Sequence, residues 1–128
     1  MKPQYLLDEY MMITDEERES GLYLHNNRFT YKGCTDENLL KKPTEAGLVI
    51  ITKDKEFVLF AIAYGINIIW QDKWHNRCYV YGSKTEYLGN KPTREIFRKT
   101  NLQKKKELLT SITSLRITMS GFDSLVSF

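Results

Sequence analysis

Acidic side chains gather where apolar runs of the sequence end. Asp8 directly follows the run from Tyr5 to Leu7, whereas Asp54 and Glu56 come just after the β-branched run from Leu48 to Thr52. Short apolar runs of this kind are typical of buried strands. Ligands of an open α/β sheet bind outside the carboxyl ends of its parallel strands. We therefore expect these carboxylates at the edge of the sheet where sites form.

A third acidic pair, Asp36 and Glu37, opens a predicted helix. Thr35 can cap that helix, and acids in its first turn interact favourably with the helix dipole. Carboxylates gathered at one sheet edge repel each other unless a cation lies among them, and hard oxygen ligands suit Mg²⁺ or Mn²⁺. The residue types indicate a divalent-metal site. For Asp36 the alternative is a plain helix start, and Asp54 is the acid least easily explained as a cap.

These acids must be positioned by helices and strands, and the order of the predicted elements indicates a single α/β domain over residues 1–128. Thr14 to Glu17 has the pattern of a capping box, which starts a short helix that ends at Gly21. The strand from Leu48 to Thr52, a helix over 57–64 and a strand over 66–70 form a βαβ unit, which is almost always right-handed. We therefore predict a three-layer sandwich with a central, mostly parallel sheet.

Two prolines define the remaining predicted helices. Pro43 is expected to end the second helix near Leu40 or to kink it, because proline removes a helical hydrogen bond. Pro92 is expected at the first position of a long basic helix that runs from about residue 92 to about residue 115. This helix supplies the basic C-terminal part of the predicted domain.

The segment over 71–87 is predicted to be an aromatic and basic insertion, within which 74–81 adds a hairpin arm. Its tyrosines and tryptophan are mixed with lysine and arginine, so the arm could stack bases and contact phosphates. Aromatic residues and arginine also mark the cores of protein interfaces. A homodimer contact, or capture by a partner protein, would use the same surface, and both alternatives stay open.

Charge is distributed unevenly along the chain, although the net charge is only +3. Residues 8–19 carry six acids against one base, and residues 91–106 carry seven bases against one acid. An acidic front and a basic back suit a carboxylate metal site next to a phosphate-binding face. The alternative is two solvated helix faces.

The composition argues against several other classes of protein. No apolar run approaches the roughly 20 residues of a membrane span, and acid appears too early in the N-terminal segment for a signal peptide, so we expect a cytoplasmic protein that does not contact membrane. Cys34 and Cys78 lie far apart and have no partner motif, so two buried free thiols are expected.

Residues 34–40 and 45–57 resemble the short PIN-like nuclease family, which is named for the PilT N-terminus and is related to VapC-type toxins. The shared pattern is an apolar strand that ends in Asp-Glu, as Leu6 to Glu9 does, a Thr-Asp-Glu helix start, and a strand that ends in Thr-Lys-Asp-x-acid-Phe. Leu88-Gly89-Asn90 ahead of a helix is also similar. The resemblance covers about two thirds of the chain, with its motifs in order.

The resemblance implies a PIN-like fold and an endoribonuclease that depends on Mg²⁺ or Mn²⁺, as the toxin of a toxin-antitoxin pair. The family's metal-binding acids correspond to Asp8, to Asp36 or Glu37, and to Asp54, with Glu56 in support. Among them Asp8, Asp36 and Asp54 would be catalytic. RNA is the implied substrate, and a small antitoxin protein is the implied partner.

The resemblance also implies side chains that hold the RNA backbone without reading its sequence. These are Lys53, Lys55, Asn90, Arg94 and Arg98. The sequence departs from the family pattern where Tyr10-Met11-Met12 follows the first acidic pair and where Glu56 replaces an aspartate. These departures favour an alternative function, a catalytically degenerate PIN-like module that acts through protein or nucleic-acid contacts.

Overall fold

The computed structural model describes residues 2–8, 11, 13–25, 36–72, 76–81 and 91–112. Within these ranges the strands are β1 (Tyr5–Leu7), β2 (Tyr23–His25), β3 (Val49–Thr52), β4 (Ile68–Gln71) and β5 (Arg77–Val80). The helices are α1 (Asp15–Ser20), α2 (Asp36–Glu45), α3 (Lys55–Tyr64), α4 (Lys91–Lys99) and α5 (Leu102–Ile112). The chain is α/β, as the sequence predicts.

The described strands form one sheet in the order β2-β1-β3-β4-β5. β2, β1, β3 and β4 are parallel, whereas β5 pairs antiparallel with β4. The predicted mostly parallel sheet is therefore confirmed, and β3 is its central strand. β5 lies inside the segment predicted as an insertion, and it forms a hairpin with β4 at the edge of the sheet.

The order of the strands distributes the helices between the two faces of the sheet. The chain moves one way from β1 to β2 and the other way from β2 to β3 and β4. With right-handed crossovers, α1 lies on one face and α2 and α3 lie on the opposite face. Side chains of α4 and α5 join the core on the α3 face. Helices therefore cover both faces, α1 on one and the other four described helices on the other.

Side chains of the four parallel strands alternate between two apolar clusters. Leu6 and Ile50 pair in register and belong to the larger cluster on the α3 face. Leu7 and Ile51, one residue further on, pair and pack with Met11 in a smaller cluster on the α1 face. A slip of one residue would exchange the two faces. Because burying such a side chain contributes about 1.5–3 kcal/mol, the register is strongly specified.

The predicted limits of α1 are confirmed. The Glu17 amide donates to Thr14 Oγ1 at 3.1 Å, and the Thr14 amide donates to Glu17 Oε1 at 3.3 Å, which completes the capping box. Gly21 ends the helix with a φ of 73°, in the left-handed region that glycine adopts readily. α1 has no buried residue. Its caps and the ion pair between Glu17 and Arg77, described below, therefore stabilise it.

The prediction that Pro43 ends the second helix near Leu40 is wrong, because α2 continues to Glu45. Pro43 lies in the last turn, so the helix loses one amide hydrogen bond, to the carbonyl of Leu39. The Thr44 hydroxyl donates to the Leu40 carbonyl at 2.9 Å, and the proline itself is buried. A proline so near the end of a helix costs less than one in its middle.

The single basic helix predicted from Pro92 to about residue 115 is two helices within the described range, α4 and α5. Asn101 lies between them, and its Oδ1 accepts from the Lys104 amide at 2.9 Å, so it caps α5. The Asn101 Nδ2 also donates to Glu56 Oε1 at 2.9 Å. This contact with α3 fixes the place where α5 starts.

Of the two cysteines, Cys78 lies within the described residues. It is a free, half-buried thiol on β5, in partial agreement with the expectation. Burial raises the pKa of the Cys78 thiol, and the negative charges of Asp72 and Glu95 raise it further. The thiol is therefore protonated and a weak nucleophile near neutral pH. Cys34 lies outside the described residues.

Thr93 and Thr100 form a matched pair for measuring the energy of a buried hydroxyl. Both are buried on the α4 side; Thr100 Oγ1 donates to the Ile96 carbonyl at 2.6 Å, whereas Thr93 Oγ1 has no hydrogen-bond partner among the described residues. An unpaired buried hydroxyl is unfavourable, so we expect Thr93→Val to leave the free energy of unfolding unchanged or raise it by about 1 kcal/mol. Thr100→Val should lower it by about 1 kcal/mol. Urea denaturation measures both, and a larger loss in Thr93→Val than in Thr100→Val would contradict this assignment.

Candidate functional site at the carboxyl edge of the sheet

The carboxyl ends of β1 and β3 lie next to each other at the point where the order of the sheet reverses. The connections on the two sides of this point run over opposite faces of the sheet, which opens a crevice beyond the strand ends. Asp8 follows β1, and Lys53 and Asp54 follow β3. The acids that the sequence placed at strand ends therefore flank the topological switch point, where ligands of such folds bind.

The Thr52 hydroxyl joins the two strand ends. Thr52 is fully buried, and its Oγ1 donates to Asp8 Oδ2 at 2.7 Å. The same oxygen accepts from the Asp54 amide at 3.1 Å. The Asp8 amide donates to the Ile51 carbonyl at 3.0 Å, so the backbone and the side chain of Asp8 are both bound to β3. Asp8 is held in one orientation at the edge.

Asp54 is the N-cap of α3. Its Oδ1 accepts from the amides of Glu56 at 3.0 Å and Phe57 at 3.3 Å. Capping, which the sequence made the weaker interpretation for this residue, is thus one of its roles. The other carboxylate oxygen, Oδ2, has no hydrogen-bond partner among the described residues, so it is available to a ligand.

The Glu56 side chain is hydrogen-bonded to Asn101 rather than to Asp8 or Asp54. It is exposed on the first turn of α3, and its Oε1 accepts from Asn101 Nδ2 at 2.9 Å. The carboxylate lines a separate groove between α3 and α5 with Leu59, Phe60 and Leu108. The structure gives Glu56 a role in joining the starts of α3 and α5.

The sequence also predicts that Asp36 and Glu37 belong to the site. α2 begins at Asp36 and leads to the amino end of β3, so its backbone starts on the carboxyl side of the sheet, the side of Asp8. The side chains of Asp36 and Glu37 lie outside the described residues. Among the side chains that are described, no group of three His, Cys, Asp or Glu could hold a metal ion.

Lysines surround the neighbouring part of the edge. Lys53, Lys55 and Lys99 line a cleft of about 330 Å³ whose other walls are Trp70, Gln71 and Asp72. Lys99 Nζ lies 5.6 Å from the centroid of the Trp70 ring, a cation–π contact. Sequence reasoning proposed Lys53 and Lys55 for RNA but missed Lys99, because only the packing of α4 against α3 and β5 brings the end of that helix to this edge.

The other predicted RNA contacts are not part of the cleft. Thr93, Ile96 and Phe97 form the buried side of α4, which places Arg94 and Arg98, one turn apart, on its outer side. Neither arginine lines the cleft. Asn90 lies outside the described residues.

Arg77, in the predicted aromatic arm, is used within the fold. Its Nη1 donates to Glu17 Oε2 at 2.7 Å, its Nε donates to Gln71 Oε1 at 2.9 Å, and its guanidinium carbon lies 5.7 Å from the centroid of the Tyr23 ring. Burial raises the pKa of Glu17, but hydrogen bonds from Arg77 and from the Thr14 amide outweigh it, so the pKa lies below its ordinary value. Arg77 therefore ties α1 to the sheet.

Two tyrosines of the same arm are exposed. Tyr79 and Tyr81 pack edge to face with ring centroids 5.1 Å apart, and Asn67 Nδ2 donates to Tyr79 Oη at 2.7 Å. This pair is an accessible aromatic surface on the outer strand, as the sequence suggests. Its geometry suits base stacking and protein contact equally well.

Comparison with protein-family models, with curated proteins and with solved structures found no match. None of the described helices combines the length and the apolar character that a membrane span requires. Assignment of a function therefore rests on the side chains at the carboxyl edge of the sheet.

The ion pair between Glu17 and Arg77 predicts a pH-dependent contribution to stability. Because the folded-state pKa of Glu17 is lowered, the contribution is present above the unfolded-state pKa and is lost as the pH falls through the folded-state pKa. We expect Glu17→Gln, which keeps the capping box, to lower the free energy of unfolding by about 1 kcal/mol at about pH 7. The difference from wild type should shrink as the pH is lowered.

Urea denaturation at several pH values measures this difference. Glu16→Gln is the matched control, because Glu16 is an exposed acid in the same helical turn. A loss in Glu17→Gln that stayed constant with pH, or an equal loss in the control, would show that the ion pair does not stabilise the fold.

Proposed function

We propose that this chain is a divalent-metal-dependent ribonuclease of PIN-like type, with its metal site at the carboxyl ends of β1 and β3. The observation that carries the proposal is the Thr52 hydroxyl, which binds both the Asp8 carboxylate and the backbone amide of Asp54 at the switch point of the sheet. A toxin restrained by a small antitoxin is the biological role that the sequence resemblance favours.

The donor set fits Mg²⁺ or Mn²⁺. Asp8 and Asp54 supply carboxylate oxygens, the hard ligands that these ions prefer. Two carboxylates brought to one edge repel each other, and a cation between them removes that repulsion. Asp36 and Glu37 start α2 on the same side of the sheet, so we propose that they complete the site. A bound ion would neutralise charge on the scissile phosphate and favour attack by water.

The chain's own contribution is to fix the carboxylates before a substrate arrives. Thr52 holds one oxygen of Asp8, and the capping bonds to Glu56 and Phe57 hold one oxygen of Asp54. Neither side chain then loses much freedom when it binds an ion. Such supporting hydrogen bonds orient ligands and raise metal affinity.

The second candidate is a catalytically degenerate module that binds a protein or a nucleic acid. It is favoured by the exposed pair of Tyr79 and Tyr81 and by the structural use of Glu56. Met11, one of the departures from the family pattern, packs in the core below Asp8. In this alternative the scaffold remains, and the described acids act as caps and hydrogen-bond acceptors only.

Metal binding separates the two candidates. We expect Asp8→Asn and Asp54→Asn to lose the heat of Mn²⁺ binding in isothermal calorimetry, since each removes a charged ligand. Asn is as good an N-cap as Asp, so Asp54→Asn keeps α3 capped. Asp15→Asn is the control, because it removes an exposed acid of α1 that contacts Arg18 rather than either proposed ligand. Cleavage of single-stranded RNA should vanish in both site variants and in EDTA.

The outcomes of this experiment are decisive for the proposal. Binding and cleavage by wild type that disappear only in the two site variants would support a metal-dependent nuclease. A folded wild type that neither binds Mn²⁺ nor cleaves RNA would overturn it and would favour the binding module.

A separate prediction concerns the positioning role of Thr52. Thr52→Val keeps the shape of the buried side chain but removes the hydroxyl that orients Asp8, whereas Thr52→Ser keeps the hydroxyl. We expect Thr52→Val to weaken Mn²⁺ binding about 10- to 100-fold, as loss of an outer-shell hydrogen bond does. Thr52→Ser should bind nearly as wild type does. Equal affinities of the valine and serine variants would show that Thr52 does not position a ligand.

A further inference from the structure

We propose that the cleft formed by Lys53, Lys55 and Lys99 binds one backbone phosphate of single-stranded RNA beside the carboxylate site. This inference rests on the proposed function, which makes RNA the substrate, and it names the path of the strand across the protein. Lys99 thereby becomes an RNA-binding residue, whereas Arg94 and Arg98 on the outer side of α4 do not.

The first support is the convergence of three lysines from three different elements. Lys53 lies between Thr52 and Asp54 at the end of β3, Lys55 is the first residue of α3, and Lys99 is the last residue of α4. All three line one cleft at the carboxyl edge of β3 and β4. The cleft is therefore formed by the fold itself. Lys53, one of its lining residues, lies between the two residues that the hydrogen bond from the Asp54 amide to Thr52 Oγ1 joins.

The second support is the charge that this cleft leaves uncompensated. Within the part of the chain that the structure describes, none of the three lysines forms an ion pair. Among the described residues of the lining the one acid is Asp72, which accepts the Asn76 amide at 2.9 Å. Three positive charges against one negative charge make the cleft attractive to an anion.

The third support concerns what kind of anion fits. Trp70 is 3% exposed, and Lys99 lies over its ring, so the floor of the cleft offers no free aromatic face on which a base could stack. The volume of about 330 Å³ is at the small end for ligand sites. A phosphate group fits this chemistry, and the contact is independent of base sequence.

The position of the cleft indicates the path of the RNA strand across the protein. Asp8 and Asp54 lie at β1 and β3, and the lysines continue the same edge toward β4. A strand with its scissile phosphate at the carboxylates would therefore place a neighbouring phosphate among the lysines. The outer side of α4 does not lie on this path.

The test is fluorescence anisotropy with a labelled single-stranded RNA in EDTA, so that no metal contributes to binding. Lys53→Gln/Lys99→Gln removes two charges from the cleft, and Arg94→Gln/Arg98→Gln removes two charges from the outer side of α4 as a matched control. We expect the cleft variant to bind about 10-fold or more weakly, which is the loss of one charge-assisted contact. The slope of log affinity against log salt should fall by about 0.7, the value for one phosphate of a single strand.

Two further arms make the interpretation specific. Lys99→Arg keeps the charge and should bind nearly as wild type does. Inorganic phosphate should compete weakly with RNA for wild type and not measurably for the cleft variant, which distinguishes capture of a free anion from binding of a polymer. Circular dichroism melting curves check that each variant folds, and all four substituted positions are exposed or half-buried.

The inference is overturned by three results: wild type that does not bind RNA, a cleft variant that binds as wild type does, or an equal loss in the arginine control. These results are distinguishable from failure of the proposed nuclease. RNA binding through the lysines without Mn²⁺ binding or cleavage would support the phosphate-binding cleft and contradict the proposed nuclease. Cleavage that needs Asp54 but not the lysines would support the nuclease and contradict the cleft.

Discussion

A buried hydroxyl at the end of the central strand determines how the candidate site is organised. The parallel register pairs Leu7 with Ile51, so the next residues, Asp8 and Thr52, must lie side by side. A fully buried polar group needs a hydrogen-bond partner, and the Thr52 hydroxyl finds one in the Asp8 carboxylate. The two apolar clusters hold that register, because a slip of one residue would exchange their side chains between the two faces of the sheet. Core packing on both faces therefore fixes the distance between two acidic strand ends.

The features that the sequence predicted correctly have causes within a few residues of each other. The capping box from Thr14 to Glu17 and the glycine at 21 need no tertiary contact to form, and both limits of α1 are as predicted. The β-branched run before Lys53 identifies the central strand, because burial on both faces leaves a continuous apolar pattern in the sequence itself. The predicted strand ends then indicate where Asp8 and Asp54 lie, because the carboxyl ends of parallel strands meet at one edge of the sheet.

The features that the sequence missed depend on contacts between distant elements. Asn101 interrupts the predicted basic helix because its amide binds Glu56, 45 positions earlier in the chain, while its carbonyl oxygen caps α5. The same contact gives Glu56 a structural partner that the sequence did not predict. Lys99 joins the edge only because α4 packs with its end over Trp70. No local pattern carries such information, and whether the chain is PIN-like stays a prediction.

Two opposite charge requirements meet at one edge of this sheet. Cleavage of an anionic chain needs carboxylates that hold a cation and basic side chains that hold phosphate, yet the two sets must not neutralise each other. Here Asp54 turns one oxygen toward the amides of α3, and Lys53 and Lys99 belong to a cleft on the β4 side. None of the lysines of that cleft forms an ion pair among the described residues, so these lysines do not neutralise the carboxylates. Lys99 lies over the Trp70 ring on the β4 side, and this separation of the two sets of charge supports the proposal that the edge is a site.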